Sequence, residues 1–481
     1  MKKKWMFALT VAVMTVSLAF PANSQTYSVL YNLGVHANDP INPSGSLAQG
    51  RDGAMYGTSY DGGLYGQGTV FKVTTAGKVN VLYSFCAQAN CSDGNNPDGG
   101  LTLRPDGHFI GTTLTGGSYG YGTIFDVTQT GDYHVLYNFT GGTDGAFPSA
   151  APILGPDGSY YGTTAQGGGA PGCGSIYRIR NSGATLGGFQ LLYDFDNTHG
   201  CEPAAPLVLG TDGELYGPTI YGGNASYGVI FKIATTGQFK VLHNFQGDGD
   251  GFDPGGPLIQ GSNGNFYGTT RGVGTPHGGG VFQMTPDGTL TSLHHLNGTS
   301  DGDYVTAGVV EATDGNFYGA AEEGGINDNY NCGTGCGTLF RASATGSFSV
   351  LYSFDFTSGY FPVSIPFQHT NGTLYGDTYW GGMTGGICAP FGCGVFYSLE
   401  DLPAFVSLVP YRGKPGSTIE FLGQGFTESS VVSFNGITTP ATVVSGTYLR
   451  AVVPSGATTG NVTVTTSEGT LTSNQKFVVT R

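Results

Sequence analysis

Short apolar runs separated by turn residues fill the chain from Tyr27 to Leu399, and they recur as one unit written seven times. The plainest copy reads Val135-Leu-Tyr-Asn-Phe139, a Gly/Asp/Pro-rich loop, Pro156-Asp-Gly158, Tyr160-Tyr-Gly-Thr-Thr164, Gly167-Gly168 and Gly174-Ser-Ile-Tyr-Arg-Ile179. Anchors at Leu30, Leu82, Leu136, Leu192, Leu242, Leu293 and Leu351 set the copies 50 to 58 residues apart. Self-similarity at such a period marks a propeller or a solenoid.

Within each copy an Asp-Gly or Asn-Gly pair separates two apolar runs, from Asp52-Gly53 to Asn371-Gly372. That is a hairpin signal, read here as a type I′ turn with positive φ at both central residues. The last run of each copy, such as Phe71-Lys72-Val73 or Phe231-Lys232-Ile233, alternates apolar and polar positions, as a half-buried strand does. Four strands per copy predict an all-β fold, a seven-bladed β-propeller over residues 25–400. A β-solenoid competes, but its coils are usually shorter than about 30 residues and need fewer hairpin turns.

The Leu-Tyr-x-Phe, Asp-Gly-x-Leu-Tyr-Gly-Thr-Thr, Gly-Gly and Gly-x-Ile-Phe-x-Val pattern, from about residue 27 to 399, resembles the GloVer tandem repeat of bacterial proteins. The resemblance implies an exported repeat protein and supplies no catalytic residues.

Residues 1–24 predict a cleavable secretory signal: Lys2-Lys3-Lys4, an apolar run from Trp5 to Phe20, then small residues through Ser24. The run is shorter than the roughly 20 residues of a spanning helix, so no transmembrane segment is expected in the mature chain. Without the leader 15 Lys and Arg face 33 Asp and Glu, a net charge of about −18. Such acidity excludes nucleic acid as a partner and makes anionic membranes poor ones. Glycine is plentiful, 85 of 481 residues, yet the regular strand alternation argues against disorder.

Eight cysteines in an exported chain predict disulfides. Spacing and repeat position pair Cys86 with Cys91, Cys332 with Cys336 and Cys388 with Cys393, which leaves Cys173 for Cys201. Zinc binding through Cys332-x3-Cys336 would need a second cysteine pair or histidines, and none is placed for it. No cofactor or metal is implied.

In a propeller the tight Asp-Gly turns would share one face. The cysteines and the long second-to-third-strand loops would share the other, and loops on a rigid scaffold commonly carry function. Each of those loops begins with two variable residues. Tyr60, Asp61, Tyr221, Arg271, Glu322, Glu323, Tyr379 and Trp380 are the candidate ligand-binding residues among them, because aromatic faces beside carboxylates suit sugar rings. Ordinary packing against neighbouring blades competes with that reading. Asp248, Asp250 and Asp253 resemble the start of a calcium loop, but the bidentate acid and flanking helices of an EF-hand are missing. No Ser/His/Asp arrangement is recognisable, and Glu322-Glu323 is at most half of an acid/base pair.

After Leu399 the period stops. Residues 403–481 predict five to seven short strands in a small immunoglobulin-like β-sandwich. Through Gly423-Gln-Gly425-Phe426, Phe434-Asn-Gly436, Val453-Pro454 and Phe477-Val-Val479 this segment resembles the TIG family, which implies a spacer or interaction module without catalysis. Three functions follow. The first is a secreted or surface-associated monomeric binding or adhesion protein for an extracellular polysaccharide or surface protein, and the want of a coherent catalytic set favours it. The others are a secreted carbohydrate-active enzyme and a structural envelope component.

Overall fold

The computed structural model describes residues 26–169, 171–181, 186–247, 249–272, 278–325, 332–399 and 402–480. Residues 1–24, read above as a secretory signal, and Asp248 lie outside them. The described chain is all-β apart from two three-residue 3₁₀ turns. From Tyr27 to Leu399 it forms seven antiparallel sheets, six of four strands and a first sheet of five.

The second sheet is typical, with strands Leu101–Leu103, Phe109–Thr113, Thr123–Val127 and Tyr133–Asn138 paired in chain order. The two middle strands are more deeply buried than a simple alternation predicts. Asp126, at the polar centre of a third strand, is itself buried, paired with Arg104.

The Asp/Asn-Gly turns differ from the expected type I′ form. Only the glycine has positive φ, 76° at Gly53 and 92° at Gly107, while the residue before it does not. In the first sheet Gly53 N–H donates to Gly50 O at 3.1 Å and Gly50 N–H to Ala54 O at 2.8 Å, so the loop is one residue longer than a two-residue turn. The aspartate works through its side chain. Asp52 Oδ1 accepts from Ala54 N–H at 3.1 Å and Oδ2 from the Tyr56 hydroxyl at 2.9 Å. Asp157 with Tyr161, Asp212 with Tyr216 and Asp314 with Tyr318 repeat the hydroxyl bond at 2.7–2.9 Å. The Asp-Gly-x-x-Tyr spacing is thus an Asx turn locked by the tyrosine of the second strand.

Sheets meet their neighbours through repeated contacts. Tyr83 stacks on Tyr133 at 3.9 Å between ring centroids, Tyr193 on Phe239 at 3.8 Å and Tyr352 on Tyr27 at 3.8 Å. That last pair shows the chain's start joining its seventh sheet, where Tyr27–Asn32 pairs with Val395–Leu399. Leu33 N–H then donates to Gly394 O at 3.0 Å, the bond that Phe85 makes to Gly68 in the first sheet. The seventh sheet also meets the first: Gln49 Nε2 donates to Thr370 Oγ1 at 2.8 Å.

Residues 407–479 form ten short strands, more than the five to seven expected, in two four-stranded sheets and a two-stranded parallel pair. They enclose their own core of Ile419, Phe421, Val432, Phe434, Leu449, Val464 and Phe477. This domain rests on the Asp/Asn-Gly turns of the repeats. Thr447 Oγ1 donates to Arg51 O at 2.9 Å, Tyr411 hydroxyl to Leu209 O at 3.0 Å and Gln424 Nε2 to Thr370 Oγ1 at 3.1 Å.

Candidate functional site

Away from those turns, one residue per repeat is held in the left-handed region. Asn42, Asn96, Phe147, Glu202, Asp253, Tyr304 and Phe361 have φ between 50° and 62°. Proline follows each of them except Tyr304, which Val305 follows. A non-glycine residue there costs on the order of 1–3 kcal/mol and persists only where its surroundings over-determine it. Here backbone bonds do so on both sides. Asn96 N–H donates to Gln67 O at 2.9 Å and Asn96 O accepts from Leu114 N–H at 3.0 Å. Glu202 N–H likewise donates to Cys173 O at 2.9 Å and its O accepts from Ile220 N–H at 3.1 Å.

The proline that follows packs on the glycine opening the previous sheet's third strand. A Cβ on Gly68, Gly122 or Gly228 would lie 2.6–2.7 Å from Cδ of Pro97, Pro148 or Pro254, and one on Gly394 would lie 3.3 Å from Pro43. Only glycine fits so close an approach. This contact carries each sheet onto the next, and the seventh onto the first.

Small residues come after the proline, or after Val305 in the sixth repeat, among them Ser44-Gly45-Ser46, Ala204-Ala205 and Thr306-Ala307. They leave open a cavity of about 310 Å³ to which all seven sheets contribute. Asp98 is the one charged side chain on its wall among the described residues, beside the hydroxyls of Ser44, Ser149, Thr306, Ser364 and Tyr379. Burial raises the Asp98 carboxyl above the usual carboxylate range, opposed by the Ser44 hydroxyl.

Of the residues singled out in the sequence, Tyr379 lines this cavity, and they fall into separate groups. Tyr60, Asp61 and Tyr379 gather near Asp98. Burial, with the charges of Asp61 and Asp98, pushes the Tyr379 phenol up to about 12. Burial raises Asp61 too. Arg271, Glu322 and Glu323 form a second group. Arg271 lies 5.2 Å over the Tyr304 ring. Glu322 is buried and accepts from the Thr306 hydroxyl. Burial raises its carboxyl to about 7, with Glu323 and Asp303 adding to the rise against Thr306 and Arg271. Trp380 is half-buried, its ring 5.1–5.5 Å from those of Phe361, Tyr379, Tyr360 and Phe391. Tyr221 stands apart and exposed.

These pairs are not free loop tips. The second residue of six of them bridges to the residue just before the left-handed one, as Tyr221 does to Cys201, Glu323 to Asp303 and Trp380 to Tyr360. The sequence reading missed the left-handed positions, Asp98 and the small residues of the cavity wall. Their signal was available in the recurring x-Pro-x-small-small segment, which reads as an ordinary loop until its register is compared across repeats.

All eight cysteines are paired as their spacing predicts: Cys86–Cys91, Cys173–Cys201, Cys332–Cys336 and Cys388–Cys393. Of the calcium-like aspartates, Asp250 accepts from Gln246 N–H at 3.1 Å and from His243 at 3.0 Å, while Asp253 is one of the left-handed residues. Among the described residues no group of three or more His, Cys, Asp or Glu is placed to hold a metal. No helix among them is long and apolar enough to cross a membrane.

A family model described as the Gloeobacter/Verrucomicrobia repeat matches residues 15–201 and 150–388, and the IPT/TIG domain model matches 403–479. No curated protein matches the chain significantly. Among solved structures, a fungal alcohol oxidase of the AA5 family in complex with copper shares 14% identity, at a TM-score of 0.54 over 95% of this chain and 100% of that one. A putative 6-phosphogluconolactonase from Bacteroides uniformis shares 14% identity at 0.43, over 63% of this chain and 83% of that one. PorZ, a surface component of the type-IX secretion system of Porphyromonas gingivalis, shares 15% at 0.34, over 92% of this chain and 52% of that one.

Proposed function

The chain belongs to the Gloeobacter/Verrucomicrobia repeat family and carries a C-terminal IPT/TIG domain, and from that premise we propose that it is an exported binding protein for extracellular glycans. In this reading residues 1–24 are a cleaved signal, 25–400 a monomeric seven-bladed propeller and 403–481 its immunoglobulin-like partner. The four disulfides fit an extracellular or periplasmic setting.

One observation carries the proposal. A cavity shared by all seven repeats is bordered by side chains that differ from repeat to repeat on an otherwise uniform backbone. Concave sites with a few convergent polar groups are where small ligands bind, and here hydroxyls and carboxyls lie beside Tyr60, Tyr379 and Trp380. Tyr60, Asp61, Tyr221, Arg271, Glu322, Glu323, Tyr379 and Trp380 make up the proposed rim. A glycan array probed with the purified protein tests it. The expected result is retention of a limited set of glycans, and uniform absence of binding refutes it.

A further inference from the structure

The second repeat carries two exposed aromatics outside the proposed rim, Tyr119 and Tyr121, 61% and 40% exposed. Ser118 N–H donates to Asn138 Oδ1 at 2.8 Å, which ties the outer end of their loop to the fourth strand, Tyr133–Asn138. At the inner end Tyr121 O accepts from Phe147 N–H at 3.0 Å, and the two rings stand 5.8 Å apart at 63°. A Cβ on Gly141 would lie 2.6–2.7 Å from three atoms of the Tyr121 ring. Such equal distances put the glycine under the ring's face, so the ring is seated on it. Ser149, two residues beyond Phe147, is on the cavity wall. The aromatic groups therefore run from the fourth strand towards the cavity. Tyr227 is seated on Gly247 in the same way in the fourth repeat, but there the left-handed residue is Asp253 instead of Phe147.

This stretch is uncharged in an acidic protein. Residues 111–125, 145–156 and 159–177 contain no Asp, Glu, Lys or Arg. Asp144, which precedes the second of these segments, is buried and accepts from the Tyr137 hydroxyl and Thr140 N–H, both at 2.9 Å. Exposed apolar groups gathered in one place mark interaction sites, and a seated tyrosine offers contact area at little entropic cost. Its ring face suits the C–H face of a sugar and its hydroxyl the sugar's own hydroxyls. A polyanion or polycation would find no opposite charge there. We infer that Tyr119, Tyr121 and Phe147 form a track on which successive residues of an uncharged polysaccharide stack as the polymer leads into the cavity. This rests on the glycan-binding reading and narrows it to neutral glycans.

The full chain and its variants, probed on one array of neutral, uronic-acid, sulfated and amine-bearing glycans, test the inference. Wild type should retain neutral glycans. Tyr119→Ala and Tyr121→Ala should each lower their apparent affinity at least fivefold with an unchanged circular dichroism spectrum, while Tyr121→Phe, which keeps the ring, should stay within twofold. Retention of charged glycans alone, or of neutral glycans at undiminished affinity in both alanine variants, overturns the track and leaves glycan binding intact. Retention of no glycan overturns the glycan reading and the track with it. Sedimentation velocity of the same samples covers a different occupant: a dimer that Tyr119→Ala abolishes would assign the patch to a second copy of the chain and overturn the track. If Tyr121→Ala fails to fold, the exposed Tyr119→Ala and the glycan classes retained by wild type decide the question.

Discussion

Arg51, at the tip of the first repeat hairpin, and Glu420, in the C-terminal domain, form a two-point ion pair, Nε to Oε2 at 2.9 Å and Nη2 to Oε1 at 2.5 Å. The same guanidinium donates to Asp106 O at 2.9 Å and Pro105 O at 2.6 Å in the next hairpin. Tyr448 hydroxyl adds a 2.7 Å bond to Glu420 Oε1. One side chain therefore joins two sheets and the domain that rests on them, using the planar fork that lysine lacks.

Arg51→Met should remove that junction and leave a buried carboxylate served only by Tyr448 and by Arg450 at 3.7 Å. A loss of about 3 kcal/mol in urea unfolding is expected, at the lower end for broken buried pairs because Arg51 is partly exposed. Combining Arg51→Met with Glu420→Leu should restore part of it. Limited proteolysis should release the C-terminal domain faster in the single variant than in the double one.

Tyr27→Ala tests the joining of the chain's start to its seventh sheet. Tyr27 stacks on Tyr352 and donates its hydroxyl to Ser358 O at 2.6 Å. Truncation should cost about 3 kcal/mol, and deleting residues 26–32 should lower the melting temperature further. An unchanged melting temperature in the deletion would show that the pairing with Val395–Leu399 contributes no stability.

Asp377 occupies the register that Thr58, Thr112, Thr163 and Thr269 hold in other repeats. Both its carboxyl oxygens are buried with only the Ser364 hydroxyl nearby to oppose the effect of burial, and the Tyr397 hydroxyl is buried without a partner. Burial raises its carboxyl to about 7. The folded chain thus holds this proton more tightly than the unfolded one. The residue's contribution to stability is complete below about pH 4, declines as pH rises towards about 7, and is lost above that. Asp377→Thr should be more stable than wild type at pH 8, by on the order of 3 kcal/mol, and should flatten the pH dependence between those limits. Denaturant titrations at pH 4 and pH 8 measure both.

Trp380 and Trp5 are the two tryptophans of the chain, so in a chain cleaved after Ser24, as proposed, Trp380 alone reports the proposed rim. Its half-buried ring should emit between the buried and exposed limits and shift on ligand entry. Trp380→Ala should weaken glycan binding by about 2 kcal/mol. It should also cost about 2 kcal/mol of stability through the lost contacts with Phe361, Tyr360 and Phe391. Trp380→Phe, which keeps most of that packing, should recover stability more fully than binding. Loss of stability with binding untouched in both variants would remove Trp380 from the rim.

The strand order of each repeat and all four disulfides were legible because they follow from local periodicity and spacing. The turn type was not. Asp-Gly alone cannot distinguish a two-residue turn from a longer loop, and the deciding partner, Tyr56 or Tyr161, stands four residues on. The cavity was hidden for a different reason. Asp98 is brought to its wall by the packing of all seven sheets, a relation with no fixed separation in sequence. The resting place of the C-terminal domain depends on bonds such as Tyr411 to Leu209, which span 202 residues.

The left-handed residue of each repeat separates shape from identity. Asn42, Phe147, Glu202, Asp253 and Tyr304 differ in charge, size and aromaticity while sharing one backbone conformation. Main-chain bonds meet the strain, as at Asn96 and Glu202, while the side chains make different contacts of their own, Asn42 Nδ2 donating to Tyr379 O at 2.7 Å and Asn96 Nδ2 to Tyr60 O at 3.1 Å. Seven such positions hold one backbone frame constant while the groups they carry change from repeat to repeat.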